Sequence, residues 1–349
     1  MSSPQSTVQG VHGALSRGSL GRVLIHEHLI STLRCYWDPS EDPVVAYEKV
    51  ALSNMSKVRA NPFSSRDNLM LDEPRLVVSE LASFVEHQGR TIVEVSSGGM
   101  GRDPRSLAWI AATTGVNIIA GCGYYLRKSH PADFATRSVA DFQDEMVQDL
   151  TVGMDGTEIR AGVIGELGVS SFPMDAIERR VLVAAGLAQQ QASVAVVVHS
   201  APDSRSPFEI VDVLEEAGAD LCRVVVSHLD ERFRDDLGLY QELAGTGAWL
   251  GLDTFGREAY LASRSRQHPT DESRIRTLAG LLASGLGESV LVSQDICLKS
   301  ELEAFGGVGY GHLFRNIVPR MIENGIAQAD VEKLLVDNPG RVLTGGGDR

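Results

Sequence analysis

Ser193–Leu229 reads SVAVVVHSAPDSRSPFEIVDVLEEAGADLCRVVVSHL. Its two ends, Ser193–Ser200 and Arg223–Leu229, are almost unbroken runs of Val. Between them Pro207–Ala217 carries apolar residues at helical three- and four-residue spacing. Runs of this kind suit parallel strands covered on both faces, and strand–helix–strand is the right-handed crossover unit of such a sheet. The same alternation extends outward in both directions. Apolar runs recur at Val23–Leu29, Thr91–Ser97, Val116–Cys122 and Ala161–Gly168, and then at Trp249–Phe255 and Ser289–Ile296. Helical spacing separates them at Pro74–His87, Arg105–Thr114, Ala176–Gln191 and Arg274–Ala283. Eight such units predict an α/β fold, a single (β/α)8 TIM barrel over residues 1–349, in preference to an open six-stranded sheet. Residues 1–20 read as a lead-in, Ile30–Arg90 as an insertion in the first loop, and 343–349 as a flexible tail. Two closing helices are expected at Phe314–Glu323 and Asp330–Val336.

Composition narrows the function. With 32 basic and 46 acidic residues the chain carries a formal charge of −14. That argues against nucleic acid as a partner, because phosphate contacts need clustered Lys and Arg. No apolar run approaches the roughly 20 residues that span a bilayer, so no membrane partner is expected. The first 25 residues lack a basic start followed by an apolar segment, so no signal peptide is read. Cys35, Cys122, Cys222 and Cys297 form no CxxC pair, which suits reduced thiols and a cytoplasmic location.

The chemistry sits where polar residues interrupt the strands near their C-terminal ends, the catalytic face of a barrel. His26 and His28 in IHEHL are two apart, so both imidazoles share one side while Glu27 takes the other. Glu166 ends AGVIGELG, His199 closes VAVVVHS, His228 closes VVVSHL, and Asp295 follows VLVSQ. Each has a plain alternative: a salt bridge for Glu166, hydrogen-bonded core histidines for His199 and His228, a helix cap for Asp295. Together they put four imidazoles and two carboxylates at one end of five strands. That donor set suits two divalent first-row cations, zinc by default, with Mn2+, Co2+ or Fe2+ as substitutes. Tyr124, Tyr125 and Arg127 follow the third strand and are candidate substrate-pocket residues. The Gly-rich Ser96–Asp103 reads as a plain turn that has room to cradle an anion. His130, Glu231 and His312 are lesser candidates. No P-loop, GxSxG elbow or GxGxxG is present.

These residues resemble, in order and spacing, the phosphotriesterase-like branch of the amidohydrolase superfamily. Further stretches carry the resemblance: DNLMLDEPRLVVSEL, GVNIIAGCGYYLRKSHP, SQDICLKSELEAFGGVGYGHLFRNIVPRM and the closing DNPGRVL. The resemblance implies that His26, His28 and Asp295 bind the more buried metal and that His199 and His228 bind the more exposed one. In many members a carbamylated lysine bridges the two metals. Glu166 stands at that position here, as in a glutamate-using subset of phosphotriesterase-related proteins. Gln294 replaces a histidine common in relatives, and strand alternation predicts that it points away from the metals. A homodimer is also implied.

The expected activity is metal-assisted hydrolysis of a small molecule, with a metal-bridging hydroxide as nucleophile and Asp295 as proton acceptor. Glutamate-bridged relatives point to a carboxylic amide, ester or lactone bond. Phosphotriester hydrolysis is the alternative within the enzyme class, and a ligand-binding barrel without turnover is the alternative outside it.

Overall fold

The computed structural model describes residues 7–261 and 266–345. Each of the eight apolar runs forms a barrel strand. They are β1 (Arg22–Glu27), β2 (Gly89–Glu94), β3 (Asn117–Cys122) and β4 (Val163–Gly168), then β5 (Ala195–His199), β6 (Val224–Ser227), β7 (Trp249–Leu252) and β8 (Val290–Val292). They pair in parallel and in sequence order, β1 to β8, which is the barrel topology expected of successive crossover units. The seam between β8 and β1 is closed just beyond the strands. There the Asp295 N–H donates to the His26 carbonyl and the His28 N–H to that of Ile296, both at 3.2 Å. Glu27 turns away from the mouth and fastens this seam. Its carboxylate accepts from Ser293 Oγ at 2.7 Å and from the N–H groups of Gln294 and Ile296 at 2.9 Å.

Strand alternation sorts the apolar side chains into two layers. Val23, Ile25, Val93, Val163, Val197 and Trp249 pack into one cluster inside the barrel. Their neighbours Leu24, Ile92, Ile164, Val196 and Leu250 join the larger cluster beneath the helices. Asp103 caps Pro104–Thr114 by accepting the N–H groups of Arg105 and Ser106, with Pro104 as the first helical residue. Asp175 caps Ala176–Ala192 in the same way.

The lead-in contains an ordered hairpin, Thr7–Gly10 against Gly13–Ser16. Val8 and Leu20 enter the inner cluster with Val342 and Leu343, so both ends of the chain plug the barrel floor. The tail expected from 343 therefore starts inside a helix, Asn338–Thr344, because Leu343 and Thr344 are buried. Residues 346–349 of that tail lie outside the described residues, as do residues 1–6 of the lead-in. Among the described residues no helix is long and apolar enough to cross a membrane.

The long first loop roofs the mouth. Ser31–Thr32 pairs antiparallel with Met70–Leu71. Leu33, Leu69, Tyr36 and Phe63 pack against Tyr125, Leu126 and Leu298. Lys299, fully buried, ties the loop after β8 to this roof through Asp67 at 3.0 Å and Glu73 at 3.4 Å.

Candidate metal centre

Along β5 the alternation Ala195, Val197, His199 continues to the mouth and delivers the imidazole directly. Other strands break step. On β1 the inward residues are Val23 and Ile25, so strict alternation would turn His26 outward. A register shift between Leu24 and Glu27 against β2 reverses the parity and brings His26 and His28 inside. A second shift, between Ile164 and Leu167 of β4 against β5, does the same for Glu166. The close approach this requires leaves no space for side chains. A Cβ on Gly165 would lie 2.4 Å from the Val197 carbonyl oxygen, and one on Gly121 would lie 1.9 Å from that of Gly165. On β6 the break is a left-handed residue, His228 at φ 63°, and Asp295 after β8 is also left-handed at φ 53°. Backbone conformations that L residues rarely adopt cluster at functional sites.

The six side chains meet at the centre of the mouth. Glu166 Oε1 lies 3.0 Å from His199 Nδ1, 3.1 Å from His228 Nε2 and 3.3 Å from His26 Nε2. Its second oxygen is 3.9 Å from His28 Nε2, so the carboxylate faces all four imidazoles. Asp295 Oδ1 is 3.2 Å from His28 Nε2 and 3.8 Å from His26 Nε2. Two sets of donor atoms are close enough to share a cation: His26, His28 and Asp295, and His26, Glu166 and His228. His199 Nδ1 approaches the second set, 2.9 Å from His228 Nε2. The residues fit a metal on their own chemistry. His26 Nε2 is buried without a hydrogen bond, and nitrogens from two histidines crowd one carboxylate oxygen. Burial alone would raise the Glu166 pKa, but His26 and His199 outweigh it and hold the carboxylate well below its usual range. Asp295 is likewise opposed by burial, yet Arg257 and His28 hold it at about 2.

A second ring of groups orients these side chains. Asp253 serves two of them: Oδ1 accepts from His228 Nδ1 at 2.9 Å, and Oδ2 lies 3.1 Å from His26 Nδ1. His28 Nδ1 meets Ser96 Oγ at 3.0 Å, and that hydroxyl donates to Glu94 Oε1 at 2.6 Å. With Nδ1 engaged, Nε2 faces the centre, the arrangement that sets tautomer and ring direction in metal sites. Arg257 donates from Nη1 to Asp295 Oδ2 at 2.8 Å and from Nε to Glu301 Oε1 at 3.0 Å.

The centre opens into a pocket of about 740 Å3. Tyr125 lines it, with its hydroxyl 3.3 Å from His199 Nδ1 and 3.1 Å from that of Tyr36. Tyr124 and Arg127, expected beside it, do not line the pocket. Tyr124 is the next residue on an extended chain and faces the other way, into Phe134 and Phe142 at ring distances of 4.8 and 5.4 Å. Arg127 opens a short turn whose backbone N–H is held by Glu178 Oε1 at 2.8 Å. Gln294 points away from the centre, donating to the Gly309 carbonyl and accepting from the Leu313 N–H. The Gly-rich loop is used structurally, with Ser97 Oγ donating to the Glu166 carbonyl at 2.7 Å. His312 bonds Asp271 and His130 bonds the Tyr125 carbonyl, whereas Glu231 does line the pocket. Sequence reading missed Asp253 and Arg257. Asp253 ends an apolar run, WLGLDTF, and so carried the same signal as the ligands.

A model of the phosphotriesterase family matches residues 6–343. The chain is 38% identical to N-acetyltaurine hydrolase of Bos taurus, with 99% of each chain covered. Among solved structures, a resiniferatoxin-binding protein from Rhodobacter sphaeroides superposes with a TM-score of 0.93 at 35% identity, covering 97% of this chain and 95% of that one. The phosphotriesterase homology protein from Escherichia coli, complexed with phosphate in its active site, gives 0.76 at 31%, covering 93% and 99%. With matches of this identity running end to end, the chain belongs to the phosphotriesterase family and is a hydrolase.

Proposed function

We propose that the protein is a binuclear metal hydrolase that cleaves the amide bond of a small N-acylated molecule. The observation that carries this reading is the convergence of four histidines, Glu166 and Asp295 on one point at the pocket floor. The bond type is supported by the relatives named for hydrolysing N-acetyltaurine. His26, His28 and Asp295 would hold one divalent cation and His199 and His228 the other, with Glu166 shared and zinc the expected metal. When bound, two such cations supply Lewis acidity and bring the pKa of a water towards neutrality.

The remaining work falls to the chain. Asp295, ionised and held by Arg257, accepts the proton of the attacking water and delivers it to the departing amine. The Tyr125 hydroxyl, on the His199 side of the centre, adds one ordinary hydrogen bond to the substrate carbonyl. The roof of Leu33, Tyr36 and Phe63 shields the site from bulk water.

The test is a substrate panel on the metal-loaded enzyme: N-acetyltaurine and other N-acetyl amides, lactones, aryl esters and phosphotriesters. An N-acetyl amide is expected to give the highest kcat/KM, at least tenfold above any phosphotriester. Phosphotriester preference would reassign the bond. Tight binding of a hydrophobic ligand without any turnover would favour a binding barrel, the reading that the Rhodobacter relative's name supports.

A further inference from the structure

The pocket wall has a charge imbalance that the metal ligands do not explain. Arg257 is matched by Asp295 and Glu301. Over the whole lining five cationic side chains, Arg59, Lys128, Arg232, Arg257 and Arg266, face four carboxylates, Glu231, Glu258, Asp295 and Glu301, and only three once Asp295 is assigned to the metals. This cationic excess occurs in a chain whose formal charge is −14.

The excess is concentrated on one buried carboxylate. Arg232 Nη1 and Arg266 Nη2 both donate to Glu231 Oε2 at 3.0 Å, and His268 Nδ1 lies 2.6 Å from Glu231 Oε1. The side chains of Arg232, Glu231 and His268 are 4%, 7% and 7% exposed, and that of Arg266 is 23%. The group is bolted to the metal centre through the backbone. Arg232 also donates to the carbonyl of Ser200, the residue after His199, and the Glu231 N–H donates to the His228 carbonyl. Two guanidinium groups sharing one carboxylate oxygen leave positive charge in a poorly solvated wall, where an incoming anion is favoured. Arg232 spends Nε and Nη2 on the Ser200 carbonyl and Nη1 on Glu231, so it contributes charge. The more exposed Arg266 presents the planar guanidinium that suits the paired oxygens of a carboxylate or sulfonate.

Resting on the amide-hydrolase reading, we propose that Arg232 and Arg266, braced on Glu231 with His268, form the subsite for the anionic end of the substrate. The hydrolysed molecules are then N-acylated amino acids or aminosulfonates, with the acyl carbon at the metals and the oxyanion on this wall. These residues act on specificity. They position the substrate and do not touch the reacting atoms.

The test compares the metal-loaded wild type with Arg266→Gln and Arg232→Gln. The substrates are a two-carbon N-acetyl aminosulfonate, N-acetyl-β-alanine and the neutral N-acetylethanolamine. The readout is the ratio of kcat/KM for each anion over the neutral amide. The wild-type ratio should exceed tenfold, and each variant should lower it at least tenfold, chiefly through KM. Whichever anion gives the higher ratio identifies sulfonate or carboxylate as the preferred group. Arg232 supports the backbone as well, so Arg266→Gln decides the matter if Arg232→Gln does not fold. A uniform loss on all three substrates, or an unchanged ratio, would overturn the subsite. A second arm measures 2-hydroxyethanesulfonate and propanoate binding by calorimetry, which needs no turnover. Binding that weakens at least tenfold in Arg266→Gln upholds the subsite even if no amide is cleaved, in which case the hydrolytic reading fails alone. Binding equal in wild type and variant overturns it.

Discussion

The floor and the mouth of this barrel are built from the same eight strands by opposite rules. Towards the floor Val23, Val163, Val197 and Trp249 interlock in one apolar cluster sealed by the N-terminal hairpin, and a register shift between Arg22 and Val23 against β2 leaves Val23 and Ile25 facing inward. At the mouth β1 and β4 shift register and β6 ends on a left-handed histidine. Only through those breaks do His26, His28, Glu166 and His228 turn inward to join His199. Inward alternation fills the core here, and breaks in that alternation aim the polar side chains. Changes at the mouth should therefore abolish function while sparing the fold, and changes at the floor should do the reverse.

The largest expected effect is at Glu166. Glu166→Gln keeps the volume but removes the charge that faces four imidazoles. Turnover should fall at least about a hundredfold and metal affinity at least about tenfold, with thermal unfolding little changed. Full metal content with unchanged turnover would reduce Glu166 to a buried ion-pair partner. At the floor, Trp249→Ala removes a buried indole that also donates to the Cys222 carbonyl at 2.7 Å. It should lower stability by about 3–5 kcal/mol, read by denaturant titration, while the protein that remains folded binds metal normally. Loss of metal at unaltered stability would erase the division between the two ends.

Smaller effects sharpen the comparison within the mouth. Ser96→Ala cuts the link from His28 to Glu94 and should weaken metal binding about tenfold to a hundredfold, measured by competition with a chelator. Tyr125→Phe loses one hydroxyl contact with His199 and should lower kcat/KM only several-fold, about 1 kcal/mol. Tyr124→Phe should leave kcat/KM unchanged, because that ring packs on Phe134 and Phe142 outside the pocket. A larger loss for Tyr124 than for Tyr125 would mean that the loop after β3 faces the other way.

The eight strands were legible because parallel strands buried on both faces read as unbroken apolar runs, which turns and insertions do not imitate. The six converging side chains were legible because a His, Glu or Asp at the end of such a run demands a partner. Asp253 carried the same mark in WLGLDTF and was passed over. The breaks that aim these side chains left only an ambiguous trace, glycines such as Gly165 inside a strand, since a register shift depends on the neighbouring strand. Nor were Arg232, Arg257, Arg266 and His268 legible, which lie in the segments between barrel strands and reach the pocket only through the tertiary fold. Tyr124 and Arg127 were misplaced for the same reason: nearness to a strand end does not say which way a loop residue turns. The hairpin at Thr7–Ser16 was read as mere lead-in because its four-residue strands are too short to show alternation.

The central claim is that Glu166 and Asp295, with four histidines, form a site for two cations that needs nothing else for assembly. The direct measurement is a titration of metal-free protein with Zn2+ or Mn2+ in buffer depleted of carbon dioxide, following hydrolysis of an N-acetyl amide. Activity should rise to a plateau at two metal ions per chain, and added bicarbonate should change neither the plateau nor the stoichiometry. A plateau at one ion per chain, or activity that appears only with bicarbonate, would contradict a glutamate-bridged binuclear centre.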